Sequence, residues 1–404
     1  DPALWDMVIG RRDFTSFFIS LNDATGSGDR DGLRWRSSDG STGRNANFVT
    51  SNDSNWHHYA IVADGSTVTL YLNGGSTVTT TGKSTGFIFD TIGEAGYFGT
   101  FIPENYDGLD AGARVASVLV EEINRAGGDA SSVNAQMAIC RTLVLHGSEE
   151  QKQKYLPGVA SGEIRFLTVA ATEPDSGANM NELTSTALRD GDGWVLNASK
   201  ILISFAAHTR LLILLARADE GTTLFLLDLD ECGDNVQMHP IDMIAHRMTS
   251  SLFIDDLRVP DSARVGPVGQ GLPCLMKGFV IRRVLAAAEA IGNARFLLDR
   301  SIDYAKTRKT FDQLIGVNQG IQYPLVQAYM KVEAADLMRW DVLDLVDAGE
   351  DAVPRSAMAK VLASEAAWET TRAALTTCGG WGLASEYHVE RKLREGTVYV
   401  FYNL

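Results

Sequence analysis

Residues Phe166–Ser204 read FLTVAATEPDSGANMNELTSTALRDGDGWVLNASKILIS, and the fold turns on how this stretch is parsed. Phe166, Thr168 and Ala170 alternate with Leu167, Val169 and Ala171, the period-two pattern of a strand. The pattern breaks at Thr172-Glu173-Pro174-Asp175-Ser176-Gly177-Ala178-Asn179, a loop of small hydroxyl and amide groups. Strands resume over Leu183–Arg189 and Trp194–Ser204, joined by the turn residues Asp190-Gly191-Asp192-Gly193. A polar loop between buried strands can set backbone N–H groups and hydroxyls against a flat, polar ligand. It can equally be an ordinary sheet connection.

Toward the C-terminus, Leu211–Ala216, Thr223–Leu229 and Ser251–Val259 extend the β region, and Pro260-Asp261 closes it. Beyond Gly269-Gln270-Gly271 the apolar period lengthens. Val280, Val284, Ala287, Ile291, Ala294, Leu298, Ile302 and Ala305 predict one long helix; Leu325, Ala328, Val332, Ala335, Met338, Val342 and Leu345 predict a second. Gly349 ends that helix and Pro354 opens a third, so long helices with short connections predict an antiparallel bundle. Toward the N-terminus, residues 111–161 are helical. Val115, Val118, Leu119 and Ile123 form the expected buried stripe, ended by Gly127-Gly128, and Met137, Ile139, Leu143 and Leu145 follow. Gly147-Ser148-Glu149-Glu150 is placed to cap a short helix carrying Gln151–Tyr155, which Pro157-Gly158 should stop.

Residues 1–101 differ, being rich in Ser, Thr, Gly and Asn with frequent turns. Asn55–Val62, Asp64-Gly65, Thr67–Leu72 and Asn73-Gly74 predict an antiparallel hairpin ladder. With the Ile92-Gly93 step and the Tyr97-Phe98-Gly99 run, this segment resembles part of a laminin-G/concanavalin-like jelly roll. That resemblance implies a glycan, Ca²⁺ or protein partner, or a purely structural role. No Pro/Gly/Ser linker marks the junction near Ile102.

The chain has 404 residues, 45% of them hydrophobic, enough for several cores and too apolar for a disordered chain. Lys+Arg 36 against Asp+Glu 51 gives −15, which opposes binding to nucleic acid or an anionic membrane. No run reaches the roughly 18 apolar residues that span a bilayer, and no signal peptide is visible at Asp1–Trp5. Cys140, Cys232, Cys274 and Cys378 lack any CxxC spacing, as expected of reduced thiols in a cytoplasmic protein. The seven His are scattered and give no metal-ligand spacing.

Five marks then fall in sequence: Ile102–Leu109 (IPENYDGL), Thr172-Glu173-Pro174, Ser199–Ser204, Tyr304–Phe311 (YAKTRKTF) and Gly379-Gly380-Trp381-Gly382. Their order and spacing resemble the acyl-CoA dehydrogenase family from Ile102 to the last residue, about three quarters of the chain. The resemblance implies a multi-domain protein. A jelly-roll-like β segment (1–101) would precede the family's helices (102–163), its central β-barrel or sandwich domain (164–266) and its C-terminal antiparallel four-helix bundle (267–404). It also implies FAD as cofactor, an acyl-CoA thioester oxidised across its α,β carbons, an electron-transfer flavoprotein as acceptor, and a homotetramer. Thr172 and Ser204 are then expected at the flavin ring, Arg308 on the FAD pyrophosphate of a neighbouring subunit, and Thr310 and Phe311 beside it. Gly379, Gly380 and Gly382 would let backbone approach the cofactor, with Glu386, Arg391 and Glu395 following at family spacing, and Arg283 would serve the substrate.

The departures from the family pattern gather at the same site. Gly177-Ala178-Asn179 stands in place of Gly-Ser-Asp, Leu202 in place of an aromatic, and Thr376 in place of a Gln-type residue. The two positions at which the family carries its catalytic carboxylate are Asn403 and Arg282, neither able to take the α proton at neutral pH. The family's first helices, expected before Ile102, and its Gly-Thr and last helix, expected after Asn403, have no counterpart. Three readings follow from the sequence: an acyl-CoA dehydrogenase with weakened activity, a non-redox or CoA-binding paralogue of the same fold, and a glycan- or protein-binding protein led by residues 1–101.

Overall fold

The computed structural model describes residues 92–401 apart from 94, 166 and 246–248, together with the backbone of five short strands nearer the N-terminus. The chain divides into two compact units, residues 1–95 with 126–128, and residues 96–125 with 129–404. In the first unit, β1 (Ser20–Leu21) pairs antiparallel with β2 (Leu33–Arg34). The predicted hairpin ladder is present as β3 (Tyr59–Ala63), β4 (Thr67–Leu72) and β5 (Gly75–Thr81), a three-stranded antiparallel sheet. The end of the expected jelly roll is not β: Ile92-Gly93 is helical, and Tyr97-Phe98-Gly99 opens a short 3₁₀ helix, Tyr97–Phe101, within the second unit. The remainder of that expectation lies outside the described residues.

The second unit begins with three helices, α1 (Gly112–Arg125), α2 (Ser131–His146) and α3 (Glu149–Ala160). Of the stripe expected on α1, Ile123 is buried and Leu119 half-buried, but the rest of the inward face differs. Val115 and Val118 are 40% and 42% exposed, while Ala113, Ala116, Val120 and Ile123 are buried with Glu121 and Asn124. A charged pull decides the rotation: Glu121 pairs with Arg295 and, at 2.6 Å, with the buried Arg339. On α2, Leu145 is likewise exposed, whereas Met137, Ile139 and Leu143 are buried. On α3 the cap is as read: Gln151 N–H donates to Ser148 Oγ (3.2 Å), and Ser148 N–H donates to Gln151 Oε1 (3.0 Å). Pro157 does not stop this helix, which continues to Ala160. One missing N–H inside a helix is tolerated here because the next turn closes normally, with Ser161 N–H on Pro157 O at 3.0 Å.

The sheet comprises β6 (Leu167–Ala170), β7 (Thr186–Asp190), β8 (Gly193–Ile203), β9 (Leu211–Ala218), β10 (Gly221–Asp228), β11 (Val236–Pro240), β12 (Ser250–Pro260) and β13 (Arg264–Val265). Its order is β11-β12-β8-β7-β9-β10-β13, with β6 lying parallel to β9. β9 is buried on both faces. Leu211, Ile213 and Leu215 join one core, and Leu212, Leu214 and Ala216 join the other, as period two dictates.

Four helices complete the unit: α4 (Gly271–Thr307), α5 (Gln319–Ala348), α6 (Val353–Cys378) and α7 (Val389–Phe401). The predicted stripes meet in one core containing Ala287, Ile291, Ala294, Leu325, Val332 and Ala363. Gly349 caps α5 at φ 72°, and Pro354 sits in the first turn of α6, as the sequence indicated. Close approach of α1 to α4 requires Gly292, where a Cβ would lie 2.3 Å from Glu121 O.

Candidate functional site

The loop after β6 is held by one buried carboxylate. Glu173, 2% exposed, accepts from Lys200 Nζ (2.8 Å), Thr184 N–H and Oγ1 (2.6 and 2.7 Å), and Ser185 N–H and Oγ (3.1 and 2.5 Å). Burial pushes this carboxyl up, but Lys200, Ser185 and Thr184 together bring it down to about 2. Lys200, fully buried on β8, also donates to the carbonyls of Ala171 (3.1 Å) and Leu215 (2.8 Å), so all three ammonium hydrogens have acceptors. The pair fixes the two residues expected at the flavin ring. Ile201 N–H donates to Thr172 O (3.0 Å), and Thr168 Oγ1 donates to Ser204 O (2.8 Å). Leu202 (φ 56°) and Phe205 (φ 61°) are left-handed on either side of Ser204, a strained bend that the neighbouring bonds maintain. Thr172 and Ser204 are half-buried, and neither hydroxyl is hydrogen-bonded among the described residues.

A second group assembles at the far end of α4. Arg308 closes that helix, its N–H on Tyr304 O at 2.9 Å. β14 (Lys309–Thr310) then pairs with β15 (Gln313–Leu314) through Phe311 (φ 52°) and Asp312 (φ 61°), a two-residue turn with both central residues left-handed. Phe311, at the tip, is 96% exposed. A cavity of about 910 Å³ brings Arg308, Thr310 and Phe311 together with Gly379, Gly380 and Trp381. Gly379 adopts φ 58°, ψ −134°, a conformation that disfavours any side chain. At Gly380 a Cβ would meet nothing within 4 Å, so no packing demand requires glycine there. Gly382 does not line the cavity; its Cβ would meet Leu375 O at 3.1 Å, so it serves packing against α6. Thr172 and Ser204 do not line this cavity either.

The third group lies on α4 and α6. Arg282 is 5% exposed. Arg283 is half-buried, and its Nε and Nη1 are buried without hydrogen-bond partners; burial lowers its pKa. Lys360 is 1% exposed, its Nζ also without a hydrogen-bond partner, and burial followed by the charge of Arg283 pushes the ammonium down to about 8. Asn403 lies outside the described residues.

Comparison with known proteins follows the same segments. Three models match: the acyl-CoA dehydrogenase N-terminal domain over residues 78–163, the middle domain over 168–257 and the C-terminal domain over 269–403. Acyl-CoA dehydrogenase FadE12 of Mycobacterium tuberculosis is 34% identical over 316 residues, covering 76% of this chain and 81% of that protein. The chain belongs to the acyl-CoA dehydrogenase family. As a member it is an acyl-CoA dehydrogenase-type oxidoreductase. The caffeyl-CoA reductase–Etf complex subunit CarC of Acetobacterium woodii is 32% identical over 326 residues, covering 78% and 85%. Among solved structures, glutaryl-coenzyme A dehydrogenase in its glutaryl-CoA complex superposes with a TM-score of 0.72 at 32% identity, covering 77% of this chain and 82% of that one.

Within this acyl-CoA dehydrogenase, two participants had been quoted in motifs but given no role: Glu173 and Lys200. Half of the signal was available: a Lys on the inward-alternating positions of a strand needs a buried partner, whereas Glu173 stands in a polar loop that gives no sign of burial. Lys360 was missed entirely. Ser356, Ala359, Ala363 and Ala367 mark the buried face of α6, and Lys360 sits on it. Among the described residues no group of His, Cys, Asp or Glu could hold a metal ion, and no helix is long and apolar enough to cross a membrane. All four cysteines are free and buried.

Proposed function

We propose that this acyl-CoA dehydrogenase binds FAD and oxidises an acyl-CoA thioester across its α,β carbons, slowed by the absence of a family base. The reading rests on the cavity uniting Arg308, Thr310 and Phe311 with Gly379 and Gly380. Its residues suit a dinucleotide: an exposed guanidinium for phosphate, a hydroxyl, and a glycine whose missing Cβ leaves backbone accessible. Thr172 and Ser204 offer unengaged hydroxyls for the polar edge of the flavin. Thr172 and Ser204 do not line this cavity, and the family resemblance gives Arg308 to the cofactor of a neighbouring copy. A homo-oligomer is therefore part of the proposal, supported by Tyr323, Met330 and Leu337, exposed at seven-residue intervals on α5.

Bound FAD would supply the two-electron acceptor, with an electron-transfer flavoprotein downstream, as the name of the CarC complex suggests for that relative. The chain's own contribution is position and charge. The glycine turn and Arg308 would anchor the cofactor, and Thr172 and Ser204 would orient it. Arg283 would face the acyl-CoA. At the base positions, Asn403 cannot accept the α proton and Arg282 adds a positive charge. Loss of a general base costs about 10²–10⁴-fold in rate. In the first unit, the antiparallel β3–β5 sheet is the one part of the jelly-roll-like reading that is present among the described residues.

Reconstitution with FAD and anaerobic addition of acyl-CoA tests the proposal. The expected result is retained flavin absorbance, slow bleaching, and bleaching at least 100-fold faster in Asn403→Glu. Retained flavin with no bleaching in either protein would favour the non-redox, CoA-binding reading. A colourless protein would end both.

A further inference from the structure

The cavity contains a surface that the phosphate-binding residues do not account for. Trp381 follows two glycines, and it is 44% exposed although it is the bulkiest residue of its turn. It is nonetheless fixed. Its ring lies 5.2 Å from that of Tyr387 at an interplanar angle of 31°, and Tyr387 meets Tyr304 edge-on at 5.8 Å and 83°. Tyr304 and Tyr387 in turn pack on the small core of Leu297, Ala374, Cys378 and Val389. Gly382, wedged on Leu375, anchors the following backbone. The indole is thus a rigid, flat wall of the same cavity that Arg308 enters.

A half-exposed indole held by aromatic stacking beside an exposed guanidinium is the pairing that a nucleotide presents in complement: a planar base and a phosphate. We propose that Trp381 is the stacking surface for the adenine ring of the nucleotide whose phosphates Arg308 binds, a specificity determinant separate from the glycine turn. The proposal rests on the reading of this cavity as a cofactor site. Stacking of a base on an aromatic side chain is worth enough to change affinity about tenfold or more.

The test titrates tryptophan emission of the full chain, stripped of nucleotide, with ADP and separately with inorganic pyrophosphate. ADP is expected to quench the emission and bind at least tenfold tighter than pyrophosphate. Trp381→Leu should abolish most of the quench and raise the ADP Kd about tenfold while leaving the pyrophosphate Kd unchanged, and Trp381→Phe should restore ADP affinity. Arg308→Gln should weaken both ligands. If Trp381→Leu binds ADP as tightly as the parent, or loses pyrophosphate in step with ADP, the indole is a scaffold and the proposal falls. If Trp381→Leu does not fold, the parent decides: ADP binding no tighter than pyrophosphate also overturns it. A parent that binds neither ligand overturns the cofactor reading of the cavity itself.

Discussion

The loop at Thr172 and the turn at Gly379, proposed to hold one kind of cofactor, are built on opposite principles. Around Thr172 the geometry is over-determined: one carboxylate takes five hydrogen bonds, and its partner Lys200 gives three. Around Gly379 one wall is fixed by the stacked rings of Trp381, Tyr387 and Tyr304, while Arg308 and Phe311 stand exposed beside it. The first region carries its order within the single chain. The second leaves the Arg308 and Phe311 side chains open to solvent and to a ligand. A ligand that bridged them would find one end closed by buried hydrogen bonds and one end open to solvent.

Breaking the rigid region should have the largest effect. Glu173→Gln leaves Lys200 buried opposite a neutral amide, at an expected cost of about 3–5 kcal/mol in denaturant unfolding. The double variant Glu173→Gln, Lys200→Met should recover much of that loss, because it removes the stranded charge. The parent should also show the corresponding acid dependence. Glu173 titrates at about 2 in the fold against an ordinary 4.5, so on acidification the unfolded chain takes up the proton first. Its contribution is complete above about pH 5 and is lost as the pH falls toward 2. Glu173→Gln should flatten that limb, and an unchanged limb would show that Glu173 does not anchor the loop.

Lys360 sharpens the contrast, because it is a Lys200 without a Glu173. It titrates at about 8 in the fold against 10.5 when unfolded, so the unfolded chain keeps its proton to higher pH. Stability should therefore rise between about pH 8 and 10.5. At pH 7 the buried ammonium is a cost of about 3 kcal/mol, and Lys360→Met should recover up to that amount, with the gain gone by pH 10.5. Destabilisation at pH 7 would mean instead that an anion pairs with Lys360 in solution.

The sequence made the sheet and bundle legible because their signals are local. β8, β9 and the α4 and α5 stripes follow from period alone, and Gly349 and Pro354 mark helix ends by backbone chemistry. What failed was decided at a distance. Nothing near Val115 and Val118 says that α1 must turn Glu121 inward, because Arg295 and Arg339 are more than 170 residues away. β11 was overlooked because Val236-Gln237-Met238-His239-Pro240 is a short edge strand on β12 whose alternation covers only Val236 and Met238 before a proline ends it. In the site, motif residues were legible one by one. The division of Thr172 and Ser204 from the Arg308 cavity was anticipated only by the resemblance that assigned Arg308 to a neighbour's cofactor.

The smallest effects should separate the two glycines of the open region. At Gly379 an Ala must adopt φ 58°, so Gly379→Ala should cost about 1–2 kcal/mol although its Cβ meets no atom within 4 Å. At Gly380 the backbone is not left-handed and the Cβ also points into open space, so Gly380→Ala should leave stability within about 0.5 kcal/mol of the parent. Flavin retention should reverse the ranking of importance. A methyl group at Gly380 occupies the cavity that backbone access requires, and Gly380→Ala should release FAD on gel filtration while its unfolding curve stays unchanged. If Gly380→Ala keeps FAD as the parent does, the glycine is incidental and the cofactor's backbone contact lies elsewhere. If Gly379→Ala loses FAD in proportion to its lost stability, conformation alone explains that position, which is what a region ordered mainly by its backbone should show.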